Sequence, residues 1–149
     1  MAVTASGLFY PTFRDQWDAG NLGLDLELDT HKTALYDNNI TPNFDTNTLQ
    51  SAAPYTSDEV TGTNWPADGI VLLGTGLAVS PAGTFQWDAT DVSEANTDLT
   101  NARCAVIYAD AALNELIVLI DFTSDFSTVD GTFAITWDTL GIFTIDLTP

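Results

Sequence analysis

From Ile70 to the end of the chain, hydrophobic residues either alternate with polar ones or run unbroken for a few positions, and no helical spacing separates the segments. This pattern constrains the fold more than any other feature. Thr84 to Trp87 places Phe85 and Trp87 on one side, and Thr132 to Trp137 does the same with Phe133, Ile135 and Trp137. Ile142 to Leu147 sets Phe143, Ile145 and Leu147 opposite Ile142, Thr144 and Asp146, after a turn at Leu140-Gly141. Arg103 to Tyr108 and Glu115 to Phe122 lack polar alternation, which predicts central strands with both faces covered. Ala109-Asp-Ala-Ala-Leu-Asn114 between them is a natural hairpin connection. Ile70 to Val79 is apolar with Gly74 and Gly76 inside, predicting a bulge or tight bend, and Pro81-Ala-Gly83 reads as a turn. Asp88 to Thr100 is acidic and reads as a loop or a short solvated strand.

Upstream, apolar spacings of three to four predict a short helix from Tyr10 to Trp17, with Pro11 in its first turn and Gly20 as its stop. In Leu22 to Asp29, four leucines alternate with acids, predicting a half-buried strand or an extended arm laid on another surface. Thr33 to Tyr36 is a further strand candidate. A polar stretch follows, and residues 37–69 read as a long ordered excursion pinned by Phe44, Leu49, Tyr55, Val60 and Trp65. Without βαβ alternation, the expectation is all-β: one antiparallel β-sandwich domain over residues 1–149, about eight strands and one short N-terminal helix, with an open barrel as second choice.

Charge narrows the function. Three cations, Arg14, Lys32 and Arg103, stand against 21 Asp+Glu for a formal charge of -18. That is too little positive charge for a nucleic-acid groove or for attraction to anionic lipid. The longest apolar run, Cys104 to Ala109, has six residues, whereas a membrane helix needs roughly 20. The first residues lack a cationic leader followed by a long apolar run, so synthesis without export is expected. Lone Cys104 excludes an intrachain disulfide and reads as a buried small hydrophobe. His31, the only histidine, has no G-x-S-x-G serine to serve. Asp37-Asn-Asn39, Asp45-Thr-Asn47 and Asp121 to Asp125 are oxygen-rich, but none matches a calcium loop, and Asp and Asn are ordinary turn formers. No catalytic residue, cofactor or metal site is therefore expected.

The positive signals point to assembly. Leu22, Leu24 and Leu26 in the leucine segment, Phe44, Tyr55 and Trp65 in the excursion, and Trp17 on the helix are the candidate interface residues. The alternative for Trp17 and Trp65 is that they cap the ends of the sandwich core.

The series Gly7-Leu-Phe-Tyr10, Leu35-Tyr-Asp37, Asn39-Ile-Thr-Pro-Asn-Phe-Asp45, Glu59-Val-Thr-Gly-Thr-Asn64, Gly69-Ile-Val-Leu72, Ala102-Arg-Cys-Ala-Val-Ile-Tyr108 and Gly131-Thr-Phe-Ala-Ile-Thr-Trp-Asp138 spans nearly the whole chain. In this order it resembles small β-rich structural proteins of tailed bacteriophages from the head and tail morphogenesis region. Pro11 and the scarcity of lysine depart from that pattern, shortening the helix and making the surface more acidic. The resemblance implies no catalytic residues. It implies a virion protein, foremost a capsid decoration (cement) protein on the outer shell, with the major capsid protein and copies of itself as partners. Alternatives are a tail or neck component, such as a tube, terminator or baseplate ring subunit, and a carbohydrate-binding surface module.

Overall fold

The computed structural model describes residues 2–18, 22–28, 30–80 and 83–148. Among these the chain forms β1 (Gly7–Leu8), α1 (Tyr10–Trp17), β2 (His31–Tyr36), β3 (Glu59–Val60), β4 (Ile70–Val71), β5 (Gly76–Ser80), β6 (Thr84–Asp88), β7 (Val92–Ala109), β8 (Glu115–Ile135) and β9 (Phe143–Asp146). The fold is all-β, built from two antiparallel sheets that do not close into a barrel, and it matches the expected sandwich. The larger sheet runs β1-β8-β7-β2-β3, with β4 also on β2, and the smaller runs β5-β6-β9.

One long ribbon generates both sheets. β7 pairs with β8 from Ala109↔Glu115 back to Val92↔Ile135, and the same two chain directions continue as β6 paired with β9, from Trp87↔Phe143 to Thr84↔Asp146. Short interruptions at residues 89–91 and 136–142 separate the two halves and let the ribbon change sheets. Register shifts bend the β7–β8 half, and Asn96, Asn101, Thr123 and Asp130 take positive φ there. Of the two readings of Asp88 to Thr100, loop or short solvated strand, the strand holds from Val92 onward, as part of the long β7. The strands expected at Glu115 to Phe122 and Thr132 to Trp137 are the two ends of one β8. Bulges break the period-two pattern locally, so the sequence there shows no clean alternation. The ribbon buries Val92, Thr97 and Leu99 from the first of these stretches and Phe133 and Ile135, as the alternation predicts, from the end of β8.

Central β7 shows why unbroken apolar runs mean two covered faces. Ala105, Ile107 and Ala109 enter a core with Leu35, Ile117 and Trp87, whereas Cys104, Val106 and Tyr108 enter a second core with Tyr36, Phe9 and Tyr55. The small sheet covers the first face, with Trp87 edge-on to His31 at 5.2 Å between ring centroids. The N-terminal segment and the excursion cover the second.

Hydrogen bonds and ring packing tie that excursion to the body. The Tyr36 hydroxyl donates to the Tyr55 carbonyl (3.1 Å) and accepts from Gln50 Nε2 (2.9 Å), so two buried phenol rings are placed without stranding their polar ends. Backbone bonds Gln50 N–H to Asn114 O and Leu116 N–H to Thr48 O tie the loop to the β7–β8 turn. Gly62 lies so close to the ribbon that a Cβ would stand 1.9 Å from the Asp98 carbonyl oxygen.

The helix has the expected bounds, with Pro11 in its first turn. Thr12 Oγ1 donates to the Leu116 carbonyl and docks the helix on β8. The leucine segment is a correction. Residues 22–25 carry no strand pairing and 26–28 form a turn, because Asp25 Oδ1 accepts from the Glu27 and Leu28 amides (2.9 and 3.0 Å). It is an extended arm laid on the chain's own core: Leu24 is 8% exposed, Leu22 and Leu26 pack partly buried, and Leu28 is 85% exposed. Gln16 clasps it by giving and taking hydrogen bonds with the Leu24 backbone. The Ile70 to Val79 stretch divides into β4 and β5 at Gly74, whose φ is +64°. Gly20, Asp29 and the Pro81-Ala82 part of the expected turn lie outside the described residues.

Candidate interaction surface

The lone cysteine and the lone histidine are both enclosed. Cys104 is fully buried on central β7, and burial pushes its thiol up to about 12. His31 is also fully buried, beneath Trp87. Among the described residues no three His, Cys, Asp or Glu side chains gather as a metal-ligand group. All three cations are committed to this chain's own acids. Arg14 pairs with Asp15 (2.6 Å), Lys32 with Asp110 (3.2 Å), and Arg103 with Asp121 (2.9 Å) and Asp125 (3.6 Å). The Arg103 pairs hold the bulge in β8 that carries Phe122 and Phe126.

The expected interface residues divide sharply. Tyr55 and Trp65 are 2% and 0% exposed, so both belong to the core. Phe44 is half-buried and leans on Phe9 at 5.2 Å, and Leu22, Leu24 and Leu26 pack on the core as described. Trp17 alone of the seven projects outward, at 70% exposure. The end-capping alternative therefore fits Trp65, which meets Phe133 edge-on at 5.4 Å, and does not fit Trp17.

Beside Trp17 lies a surface that the sequence reading did not single out. Register pairing arranges one face of the small sheet in two apolar rows, Leu77–Trp87–Phe143 and Val79–Phe85–Ile145. The alternate positions Ala78, Gln86 and Thr144 form the opposite face. The first row is covered at two of its three positions: Trp87 is fully buried, its indole N–H donates to the Leu26 carbonyl at 2.7 Å, and Phe143 meets Phe13 edge-on, while Leu77 on the outer strand is 41% exposed. The second row overhangs the body. Val79 is 84% exposed, with Leu147 at 63% beyond Ile145. A groove of about 310 Å³ between Trp17, Phe13, Leu26, Leu77 and Phe85 joins the overhang to the helix.

The edge of this sheet is open as well. The Leu77 amide donates to Glu27 Oε1 (3.1 Å), so it points away from β6. Antiparallel alternation then turns the Val79 amide and carbonyl to the same outer edge. No strand among the described residues pairs there. The signal was present in the sequence: Gly76-Leu-Ala-Val-Ser80 is free of charge in a chain with 21 acids.

A second concavity, of about 660 Å³, lies against the bulged half of β8, walled by Ile120, Phe122, Phe126, Phe133, Trp137 and Ile142. Its rings are set tilted or edge-on, with Phe122 6.0 Å from Phe126 and 6.1 Å from Phe133, and the Trp137 indole N–H is spent on the Thr90 carbonyl. No protein-family model, curated protein or solved structure matches this chain.

Proposed function

We propose that the chain is a non-enzymatic structural subunit of a tailed-bacteriophage virion, acting as a decoration protein that bridges major capsid subunits on the outer shell. The observation that carries this reading is the apolar row at the overhanging end of the small sheet, where Val79 is 84% exposed beside partly buried Phe85 and Ile145, flanked by Trp17 and Leu147. A contiguous apolar face of this kind marks an association surface. The resemblance of the ordered sequence segments supplies the virion setting. The formal charge of -18 suits a surface turned to solvent and away from packaged DNA. Cryo-EM of purified virions tests the reading: density for the chain on the outer shell, at hundreds of copies, is the expected result. Density confined to the tail overturns the shell assignment.

The tail or neck alternative draws on the length of the β7–β8 ribbon, whose strands run 18 and 21 residues. A copy number near a dozen favours a neck ring. Recognition of sugars draws on Phe126, half-exposed at the rim of the larger groove, and binding on a glycan array is its test.

A further inference from the structure

We infer that the chain pairs with a second copy of itself by joining the two β5 edges antiparallel, making one continuous sheet β9-β6-β5-β5-β6-β9 across a two-fold axis. The inference deepens the assembly reading and rests on it for its biological purpose only.

Three observations carry it. First, β5 is an edge strand whose outward backbone groups belong to Leu77 and Val79. These two positions lie symmetrically about Ala78. An antiparallel copy therefore places Leu77 opposite the second copy's Val79, and the reverse, with both pairs at hydrogen-bonding positions. The strand is self-complementary, as an isologous interface requires.

Second, the choice of a second copy follows from charge. At -18, two copies repel at almost any surface they present. The residues of β5 carry no charge, and along its partner β6 the first carboxylate is Asp88 at the far end. The other outer edges are short or acidic: β3 contains Glu59, β9 contains Asp146, β1 and β4 have two residues each, and the halves of β7 and β8 that pair only with each other carry Glu94, Asp98, Asp121, Asp125 and Asp130. The β5 strand itself brings no carboxylate to its rim; the carboxylate that meets it is Glu27's, on the Leu77 amide.

Third, edge pairing extends the apolar row that ends in exposed Val79. It sets Val79 (84% exposed) beside the Leu77 (41% exposed) of the second copy, on the face that already carries Phe85 and Ile145. Natural edges are usually blunted by charge, proline or a covering loop. The guard here is Glu27, which occupies the Leu77 amide from an exposed turn and can be displaced.

Sedimentation of the isolated full chain tests the pairing. The expected result is reversible association to twice the 16.0 kDa monomer at tens to hundreds of micromolar, a weak range suited to a small interface. Affinity should rise at least threefold between about 50 and 500 mM NaCl, as screening weakens the repulsion between copies. Val79→Lys places a cation and its copy at the seam and should weaken pairing at least tenfold. Val79→Pro removes an amide that the β5–β6 ladder does not use, and should abolish pairing with the far-UV spectrum unchanged. Glu27→Ala frees the Leu77 amide and should tighten association severalfold. If Val79→Pro fails to fold, Val79→Lys decides.

A chain that stays monomeric up to about 1 mM in high salt overturns the inference, as do dimers untouched by Val79→Lys and oligomers larger than two. Loss of capsid attachment by Val79→Lys in a strictly monomeric chain overturns it too, because the edge then serves a different protein. The sedimentation outcomes do not bear on whether the chain lies on the outer shell, which cryo-EM of purified virions decides separately.

Discussion

Trp65→Ala tests whether the excursion is held by the core or offered to a partner. The side chain is fully buried, pairs edge-on with Phe133, and shares a cluster with Val60, Leu99 and Val92. Truncating a buried tryptophan costs about 3–5 kcal/mol, including about 0.5–1.5 kcal/mol for the lost ring pair. Against a typical total of about 5–15 kcal/mol, that is a large share of the stability of the fold. Trp65→Phe separates shape from polarity. The indole Nε1 is buried with no hydrogen-bond partner among the described residues, and such a donor costs about 1–3 kcal/mol. Phenylalanine gives up part of the ring area but removes that donor. The two effects oppose each other, so Trp65→Phe should lie within about 1.5 kcal/mol of the parent chain. Urea unfolding followed by far-UV circular dichroism reads both variants without relying on tryptophan emission, and the slope m should stay constant. A cost below about 1 kcal/mol for Trp65→Ala refutes the core assignment. Equal costs for Ala and Phe refute the account of the unpartnered indole.

Leu24→Asp with Leu26→Asp should unfold the chain or remove more than about 3 kcal/mol, since Leu24 lies in the core and a carboxylate there has no partner; a folded double variant in a melting experiment contradicts the packing of the arm. Gly62→Ala drives a methyl against the Asp98 carbonyl, and should lower the melting temperature by several degrees and open residues 37–69 to limited proteolysis. Cys104 should react with a thiol reagent at pH 8 only as fast as the protein unfolds, because its thiol is both buried and pushed up to about 12. Burial raises the Glu59 carboxyl above its ordinary value, so the folded state holds that proton more tightly than the unfolded one. The stability this provides is complete below the ordinary glutamate range and is lost as pH rises through the raised value. Glu59→Gln should therefore be more stable than the parent near pH 7, with the gap closing as pH falls below about 4 in paired urea titrations.

Sequence patterns were informative where one physical rule acted alone. The helix bounds followed from apolar spacing and Pro11, and the two-sided burial of Cys104 to Ala109 from the absence of polar alternation. The excursion's anchors were visible as isolated aromatics in polar surroundings. Legibility failed where two rules competed. Leu22 to Leu28 has perfect strand alternation, but Asp25 bonds two following amides and turns the chain, so the leucines reach the core without a ladder. Asp88 to Thr100 leaves loop and short solvated strand undivided because bulges around Asn96 and Asn101 put side chains out of phase. Among the interface candidates, aromatic character marked Trp17 and Trp65 alike, and only tertiary packing separates the exposed ring from the buried one. Val79 escaped notice because an open edge depends on what does not pair with it, which local sequence does not record.

The shared ribbon also sets an order of events in folding. Every partner pair from Ala109↔Glu115 out to Thr84↔Asp146 is nested inside the next, so each closes only a short additional loop once its inner neighbour has formed. Structure should zip outward from the turn at residues 110–114, laying down the large sheet before the small one. A mutation in that turn should slow refolding, whereas one near Thr84 or Asp146 should chiefly hasten unfolding. The β6–β9 end, which sets Ile145 beside Phe85, is then the last part of the ribbon to close, whereas β5 and β6 are neighbours in sequence and pair locally.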